Sequence, residues 1–202
     1  MCKHVGMTSS ANIDMRVLAH ELVSEFAKAQ AAIDMVVRLY FKKRSPGLDW
    51  YLRQKRVTTN IADTDRPRLV LSLANELGTS ADLSNFSEIY RGIKEIRDHV
   101  SHSARTEIID ADTIRLTKTA IVPAEQNQPT PLTVTRDVLE KRIHEAKWLV
   151  QHATYIASSS DLTKKIYLGT REVEYLEPEG RPEDWQEQVF RFVNDGTAAS
   201  GG

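Results

Sequence analysis

The sequence has a single cysteine, no long apolar run and no excess of charge of one sign. Because Cys2 is the only cysteine, no disulfide can form within the chain, and nothing requires an oxidising compartment. No segment approaches the roughly 18 uninterrupted apolar residues of a membrane-spanning helix. Residues 1–15 lack the apolar core of a signal peptide. We therefore expect a soluble, cytoplasmic protein with no membrane partner.

The charges of the chain nearly cancel. Lys and Arg number 27 against 28 for Asp and Glu, which leaves a net charge of −1. Such a chain has no global attraction for nucleic acid, so any nucleic-acid surface must be a local patch.

The common signatures of cofactor and metal chemistry are also missing. The nine glycines form neither a GxGxxG motif nor a P-loop, HExxH is absent, and a lone cysteine excludes CxxC. His144 and His152 lie two helical turns apart, too far to share a metal ion, and are predicted to face solvent or to pack. We predict neither a metal nor a cofactor.

Apolar residues that recur every three or four positions predict a protein built mainly from α-helices. A length of 202 residues with 41% hydrophobic residues suffices for one domain with a sizeable core. The predicted helices cover residues 12–44, 48–56, about 63–77, 81–100 and 135–158. Gly78 is a natural residue to follow the third of these, and Thr135 can cap the last.

Between the helices, β-branched residues alternate over residues 106–122 around Asp110 and Asp112, which predicts a small β-hairpin. The predicted fold class is therefore all-α: a helical bundle of four to five main helices with a hairpin inserted before the last long helix. We assign residues 1–160 to this bundle. Residues 161–202 are predicted to be a C-terminal extension with a short helix at 182–193 and a frayed tail.

The end of the helix predicted at 81–100 concentrates the residues that can carry chemistry. Arg97 follows the apolar stripe of that helix, which places its guanidinium at the edge of the core, where it can bind a phosphate in bidentate fashion. Asp98 and His102 are four residues apart, so on a helix the carboxylate can reach and orient the imidazole of a general acid or base. His99 and Ser101 are second-rank candidates. Alternatively, the cluster only caps the helix end, where cations complement the dipole.

This segment resembles the HEPN superfamily, whose mark is an Arg followed four to six residues later by a His. Here Arg97 and His102 match with four residues between them, and Asp98 occupies the position after the Arg where Asn, Asp or His is common. The order of helix, short hairpin and further long helix is also similar to that of bacterial members. The departures are His99 within the motif and Ser103 where glycine is common.

The resemblance implies a metal-independent endoribonuclease that leaves 2′,3′-cyclic phosphate ends. It also implies a homodimer whose two motifs meet at the two-fold interface, RNA as substrate, and a bacterial toxin–antitoxin or abortive-infection system, with an antitoxin as protein partner. In these roles Arg97 holds the phosphate, His102 transfers protons and Asp98 orients His102. Other family members are non-catalytic modules that bind a protein or a nucleotide, and this is the alternative function.

Two basic runs are candidates for binding RNA. They are Lys42, Lys43 and Arg44, and then Arg53, Lys55 and Arg56. Both runs fall at predicted helix C-termini, where cations are favourable in any case, so the alternative is that they are solvated helix ends.

Overall fold

The computed structural model describes residues 14–47, 61–118, 130–163, 165–178 and 180–193. Within these ranges the helices are α1 (Met15–Arg44), α2 (Arg66–Leu77), α3 (Phe86–Ser101) and α4 (Arg136–Ser159). The Asp14 side chain caps α1 by accepting a hydrogen bond from the Arg16 backbone N–H at 2.8 Å. Gly78 ends α2 in the left-handed conformation, at φ 64°, which glycine adopts without a steric penalty. The predicted helix at 48–56 lies outside the described residues.

The core forms where α1 packs along α4, with α3 against both. Leu22, Phe26 and Ile33 of α1 are fully buried, and their spacing places them on one stripe of the helix. With 30 residues, α1 is about 45 Å long, and it contacts each of the other three described helices. No helix within the described ranges is both long enough and apolar enough to cross a bilayer.

The first sheet follows α3 directly. It contains β1 (Ser103–Asp110), β2 (Thr113–Lys118) and β3 (Leu132–Thr135), all antiparallel in the order β1-β2-β3. Ile114 and Leu116 of β2 face the core, and their burial fixes the register of the sheet. The turn between β1 and β2 falls at the predicted Asp110–Asp112 position, but β1 begins at Ser103, earlier than expected.

The second sheet belongs to the C-terminal segment. It contains β4 (Ile166–Leu168), β5 (Arg171–Tyr175) and β6 (Phe190–Phe192), antiparallel in the order β4-β5-β6. The segment is attached to α4 through Gln151, whose buried amide donates hydrogen bonds to the Leu176 and Gln188 carbonyls, each at 2.9 Å. The described part of this segment, residues 161–163, 165–178 and 180–193, therefore packs on the helices that precede it.

The expectation of an all-α fold is wrong, because two three-stranded antiparallel sheets make the protein mixed α and β. Three of the missed strands, β3, β4 and β6, have only three or four residues, too few to produce a readable alternation. They form because neighbouring strands pair with them, and such tertiary interactions cannot be predicted from the local sequence pattern.

The helix predicted at 182–193 is also wrong. That segment is turn and extended chain ending in β6, and Glu187 has a φ of 51°, which a right-handed helix does not allow. Its apolar residue Trp185 is buried as predicted, but against α4, where its ring lies 5.0 Å from that of His144. The predicted tail at 194–202 lies outside the described residues.

Candidate functional site

The predicted motif lies where α3 gives way to β1. His102 is the C-cap residue of α3, and its backbone N–H still donates to the Asp98 carbonyl at 3.2 Å. Ser103, the next residue, already pairs with β2. The imidazole is therefore carried on a junction that is fixed on one side by a helix and on the other by a sheet.

Arg97 reaches from this helix end toward α1 and α2. Its side chain is 18% exposed, and its Nη2 lies 2.6 Å from Asp63 Oδ2. Its Nη1 lies 3.3 Å from Asp98 Oδ1, and its Cζ stacks 4.8 Å from the ring centroid of Phe26. Its Nε is buried, and its N–H has no hydrogen-bond acceptor among the described residues. The guanidinium is thus partly desolvated, as the sequence predicts, and held by two carboxylates over an aromatic face.

Asp63 organises the site, a role that the sequence pattern does not predict. Besides Arg97 it receives hydrogen bonds from Arg66 Nη1 and from Gln30 Nε2, the latter at 2.6 Å. Arg66 is held in turn by Asp34 Oδ1 at 3.1 Å. Local spacing could not reveal this role, because the partners lie on α1, α2 and α3 and only Arg66 is close in sequence.

The predicted contact between Asp98 and His102 does not form. Asp98 instead pairs with Lys94 and with Arg97, both on its own helix. The His102 imidazole is exposed, and no hydrogen bond or ion pair joins it to another residue of the described ranges. Asp98 therefore positions Arg97, while the imidazole is left available to an incoming group.

The second-rank candidates do not enter this arrangement. His99 directs its Nδ1 to the Glu95 carbonyl at 2.9 Å, one turn back along α3. Ser101 is exposed, and Ser103 donates to the His99 carbonyl. None of the three lines the cleft that holds Arg97.

Arg97, Asp98 and His102 line one open cleft of about 690 Å³, here named the motif cleft. Its other walls come from α1, α2, the chain before α2 and one further residue of α3. They are Gln30, Ile61, Ala62, Asp63, Thr64, Arg66 and Lys94. Three permanent cations and two carboxylates face the cleft in addition to the imidazole, so it favours an anionic ligand although the whole chain is slightly acidic.

Tyr90 lies beneath this cleft and contributes a neutral hydroxyl. Burial raises the pKa of Tyr90 to about 12. Its oxygen accepts a hydrogen bond from Gln30 Nε2 at 3.3 Å, and its ring packs 4.9 Å from that of Phe26. Tyr90 therefore supports Gln30 and Phe26 rather than exchanging protons near neutral pH.

The first basic run ends α1, away from the motif cleft. Lys43 Nζ lies 3.0 Å from Asp161 Oδ2 and Arg44 Nη2 lies 3.5 Å from Asp161 Oδ1, while Lys42 is exposed. Two of the three cations are thus already paired with the segment after α4. Arg53, Lys55 and Arg56 of the second run lie outside the described residues.

The two histidines of α4 have different surroundings. His144 is half-buried, and its Nε2 lies 2.7 Å from the Pro182 carbonyl, which helps to hold the C-terminal segment. His152 is fully buried between Phe86 and Trp148, and neither of its ring nitrogens has a hydrogen-bond partner among the described residues. Burial lowers the pKa of His152 to about 3.

Among the residues that the structure describes, no three His, Cys, Asp or Glu side chains come close enough together to hold a metal ion. No protein-family model, curated protein or solved structure matches the chain. The resemblance to the HEPN superfamily therefore depends on the sequence alone, on Arg97, Asp98 and His102 and on the order of the predicted elements around them.

Proposed function

We propose that the protein is a metal-independent endoribonuclease of the HEPN type, acting in a bacterial toxin–antitoxin or abortive-infection system in the cytoplasm. The observation that supports this most directly is that Arg97 and His102 line the same cleft. Arg97 is partly desolvated and held in place, whereas the His102 imidazole is exposed and has no partner among the described residues. A fixed cation beside an available acid–base group meets the needs of phosphodiester cleavage.

In this reaction the 2′-oxygen of a ribose attacks the adjacent phosphorus and loses its proton to a base. The bond from phosphorus to the 5′-oxygen breaks, and the leaving oxygen takes up a proton. The products are a 2′,3′-cyclic phosphate and a 5′-hydroxyl end. His102 serves one of these proton transfers, and Arg97 stabilises the charge that gathers on the phosphoryl oxygens.

A second copy of His102 can serve the other proton transfer if two motif clefts face one another across a two-fold axis. We therefore propose a homodimer that buries more than about 1,000 Å², the scale of a specific interface. Light scattering at micromolar concentration checks this, and a monomeric mass contradicts it.

The decisive experiment compares the wild-type protein with His102→Ala. Expression of the wild type should arrest growth and degrade RNA, and the variant should do neither. In vitro, cleavage should persist in EDTA and leave cyclic phosphate ends. DNA of the same sequence should survive, because it lacks the 2′-hydroxyl. His99→Ala is the matched control, since its imidazole is turned to the Glu95 carbonyl.

A non-catalytic binding module is the second candidate, and one observation favours it. The Arg97 guanidinium is already paired with Asp63 and Asp98, so a phosphate must share or displace these carboxylates. This candidate replaces the first if purified protein binds RNA or a partner protein but leaves the RNA intact.

A further inference from the structure

A second cleft continues the motif cleft along α2 and α3. It has a volume of about 330 Å³, and its walls share Asp63, Thr64 and Lys94 with the motif cleft. The residues that only the second cleft contributes are Pro67, Arg68, Ser87, Tyr90 and Arg91. The two clefts thus form one continuous surface that leads away from Arg97 and His102.

This second cleft adds positive charge and no further carboxylate. Its two arginines, Arg68 and Arg91, are exposed, and neither forms an ion pair or hydrogen bond with another described residue. Arg66 and Arg97 in the motif cleft, by contrast, are held by carboxylates. Five permanent cations therefore face two carboxylates over the combined surface, and the two without an ion pair, Arg68 and Arg91, lie at the end farther from His102. Arg91 also lines a cleft on the other side of α3, where Glu88 and Glu95 are its neighbours.

The spacing of these arginines fits consecutive phosphates of one strand. Arg91 and Arg97 are six residues apart on α3, which is about 9 Å along the helix axis and about a third of a turn around it. That separation is of the order of the distance between neighbouring phosphates in an extended single strand. The guanidinium fork matches a phosphate in bidentate fashion, and the hydroxyl of Ser87 adds a donor to the same wall.

We propose that Arg68 and Arg91 form a subsite for the phosphate adjacent to the one that is cleaved, so that the protein binds at least two consecutive phosphates of a single-stranded RNA. This inference rests on the proposed ribonuclease function. Arg68 and Arg91 contact the substrate only through this neighbouring phosphate. They raise the affinity and set the direction of the strand, while Arg97 and His102 carry out the reaction.

The test uses a short RNA with 2′-O-methyl groups on every ribose except one, so that a single linkage can be cleaved. The phosphates that flank this linkage are replaced one at a time by an uncharged methylphosphonate. In the wild type, neutralising one particular flanking phosphate should lower kcat/KM about tenfold, the loss expected of charge-assisted contacts. For the double variant Arg68→Gln/Arg91→Gln, kcat/KM on the unmodified parent RNA should be lower than that of the wild type by the same factor. Replacing the flanking phosphate by the methylphosphonate should then lower kcat/KM no further.

Arg16→Gln is the matched control, because Arg16 is exposed at the start of α1 and lines neither cleft. It should keep the full response to the methylphosphonate. The salt dependence of RNA binding gives a second readout, since each lost phosphate contact should reduce the slope of log K against log salt by about 0.7. Melting temperatures of all variants should match the wild type, because these arginines are exposed.

The outcomes separate the two proposals. The subsite is wrong, and the ribonuclease function stands, if the wild type cleaves the parent RNA but all flanking methylphosphonates lower kcat/KM equally. The same holds if the effects of the methylphosphonate and of the arginine substitutions on kcat/KM add up. If the wild type does not cleave the parent RNA at all, the ribonuclease function fails and the subsite fails with it.

Discussion

α3 separates two clefts that are both lined by charged side chains but differ in charge balance and in the exposure of their carboxylates. On one side is the motif cleft. On the other side is a cleft of about 590 Å³ between α3, α4 and the C-terminal segment, here named the Glu145 cleft. Its charged residues are Glu88, Arg91, Glu95, Lys141, Arg142, Glu145, Arg181 and Glu183. Four cations thus face four carboxylates there, whereas cations are in excess in the motif cleft.

The carboxylates at the two centres also differ in exposure. The Glu145 side chain is 4% exposed and accepts Arg142 Nη1 at 2.6 Å, whereas the Asp63 side chain is 25% exposed. The Arg142 guanidinium fills the space beside Gly92, where a Cβ would come within 2.9 Å of it. The ion pair between Arg142 and Glu145 lies within α4, and its guanidinium packs against α3 beside Gly92. The half-buried Asp63 instead holds Arg97 across from another helix, in a cleft where cations are in excess.

The largest expected effect is on the rate of RNA cleavage, which should depend on the motif cleft and not on the Glu145 cleft. Arg97→Ala should lower the rate of RNA cleavage by about 10² to 10³, because it removes a preorganised charge from the reacting phosphate. Arg142→Ala should leave the rate per folded molecule unchanged. Cleavage assays on folded protein, with the folded fraction determined by circular dichroism, check both. Equal losses for the two variants would show that the clefts do not differ in this way.

The second effect concerns stability, for which we expect the Glu145 cleft to matter more than the motif cleft. Arg142→Ala should lower the free energy of unfolding by about 3 kcal/mol, since it leaves the buried Glu145 without its nearest cation. Urea denaturation measures this. The double variant Arg142→Met/Glu145→Leu should recover most of the loss, because it removes the buried charge as well. A single variant as stable as the wild type would mean that Lys141, 3.9 Å from Glu145, suffices.

The third effect contrasts the exposed imidazole of the motif cleft with the buried one of α4. Burial lowers the pKa of His152 from 6.5 to about 3, although Asp82 acts in the opposite direction. The unfolded chain therefore binds a proton below about pH 6.5 that the folded protein does not bind until about pH 3. The contribution of His152 to the free energy of unfolding is therefore fully present above pH 6.5 and is lost as the pH is lowered. At pH 5 the loss is ~2 kcal/mol.

The measurement for His152 is the free energy of unfolding at pH 7 and pH 5. His152→Leu should lose this share of the pH dependence, whereas His102→Ala should keep it because His102 is exposed. If wild type and His152→Leu respond alike to pH, the imidazole is not the group that titrates.

The smallest effect lies within the motif cleft. Asp98→Asn should lower the cleavage rate by no more than about tenfold, because Asp63 still holds Arg97 at 2.6 Å while the amide keeps the shape of the carboxylate. Asp63→Asn should cost more than Asp98→Asn, since Asp63 also binds Arg66 and Gln30. Rates compared at equal folded concentration decide the order, and the reverse order would make Asp98 the main support of Arg97.

The four described helices and the half-buried position of Arg97 could be predicted because both follow from local periodicity. The stripe that begins with Phe86 and ends near Val100 determines which side of α3 faces the core, and hence where Arg97 must point. The strands β4 and β6 could not be predicted, because each has only three residues and is stabilised by pairing with β5.

The composition of the motif cleft was only partly predictable for a similar reason. Arg97, Asp98 and His102 lie on one turn of α3 and its cap, so their spacing identifies them together. Asp63 and Gln30 reach Arg97 and its neighbours only when α1 and α2 are packed against α3. The direction of the Asp98 carboxylate could not be predicted, because the cations Lys94 and Arg97 compete with His102 for it.

The stacking of Arg97 on Phe26 has a consequence for which sequences this fold tolerates. Phe26 is fully buried on α1, so a library that varies this position and selects only for folding should accept several large aliphatic residues. A selection for function should accept far fewer, because only an aromatic face supports the guanidinium from below. Positions 26 and 97, distant in the chain, should therefore vary together: an aliphatic residue at 26 becomes neutral once Arg97 has been replaced.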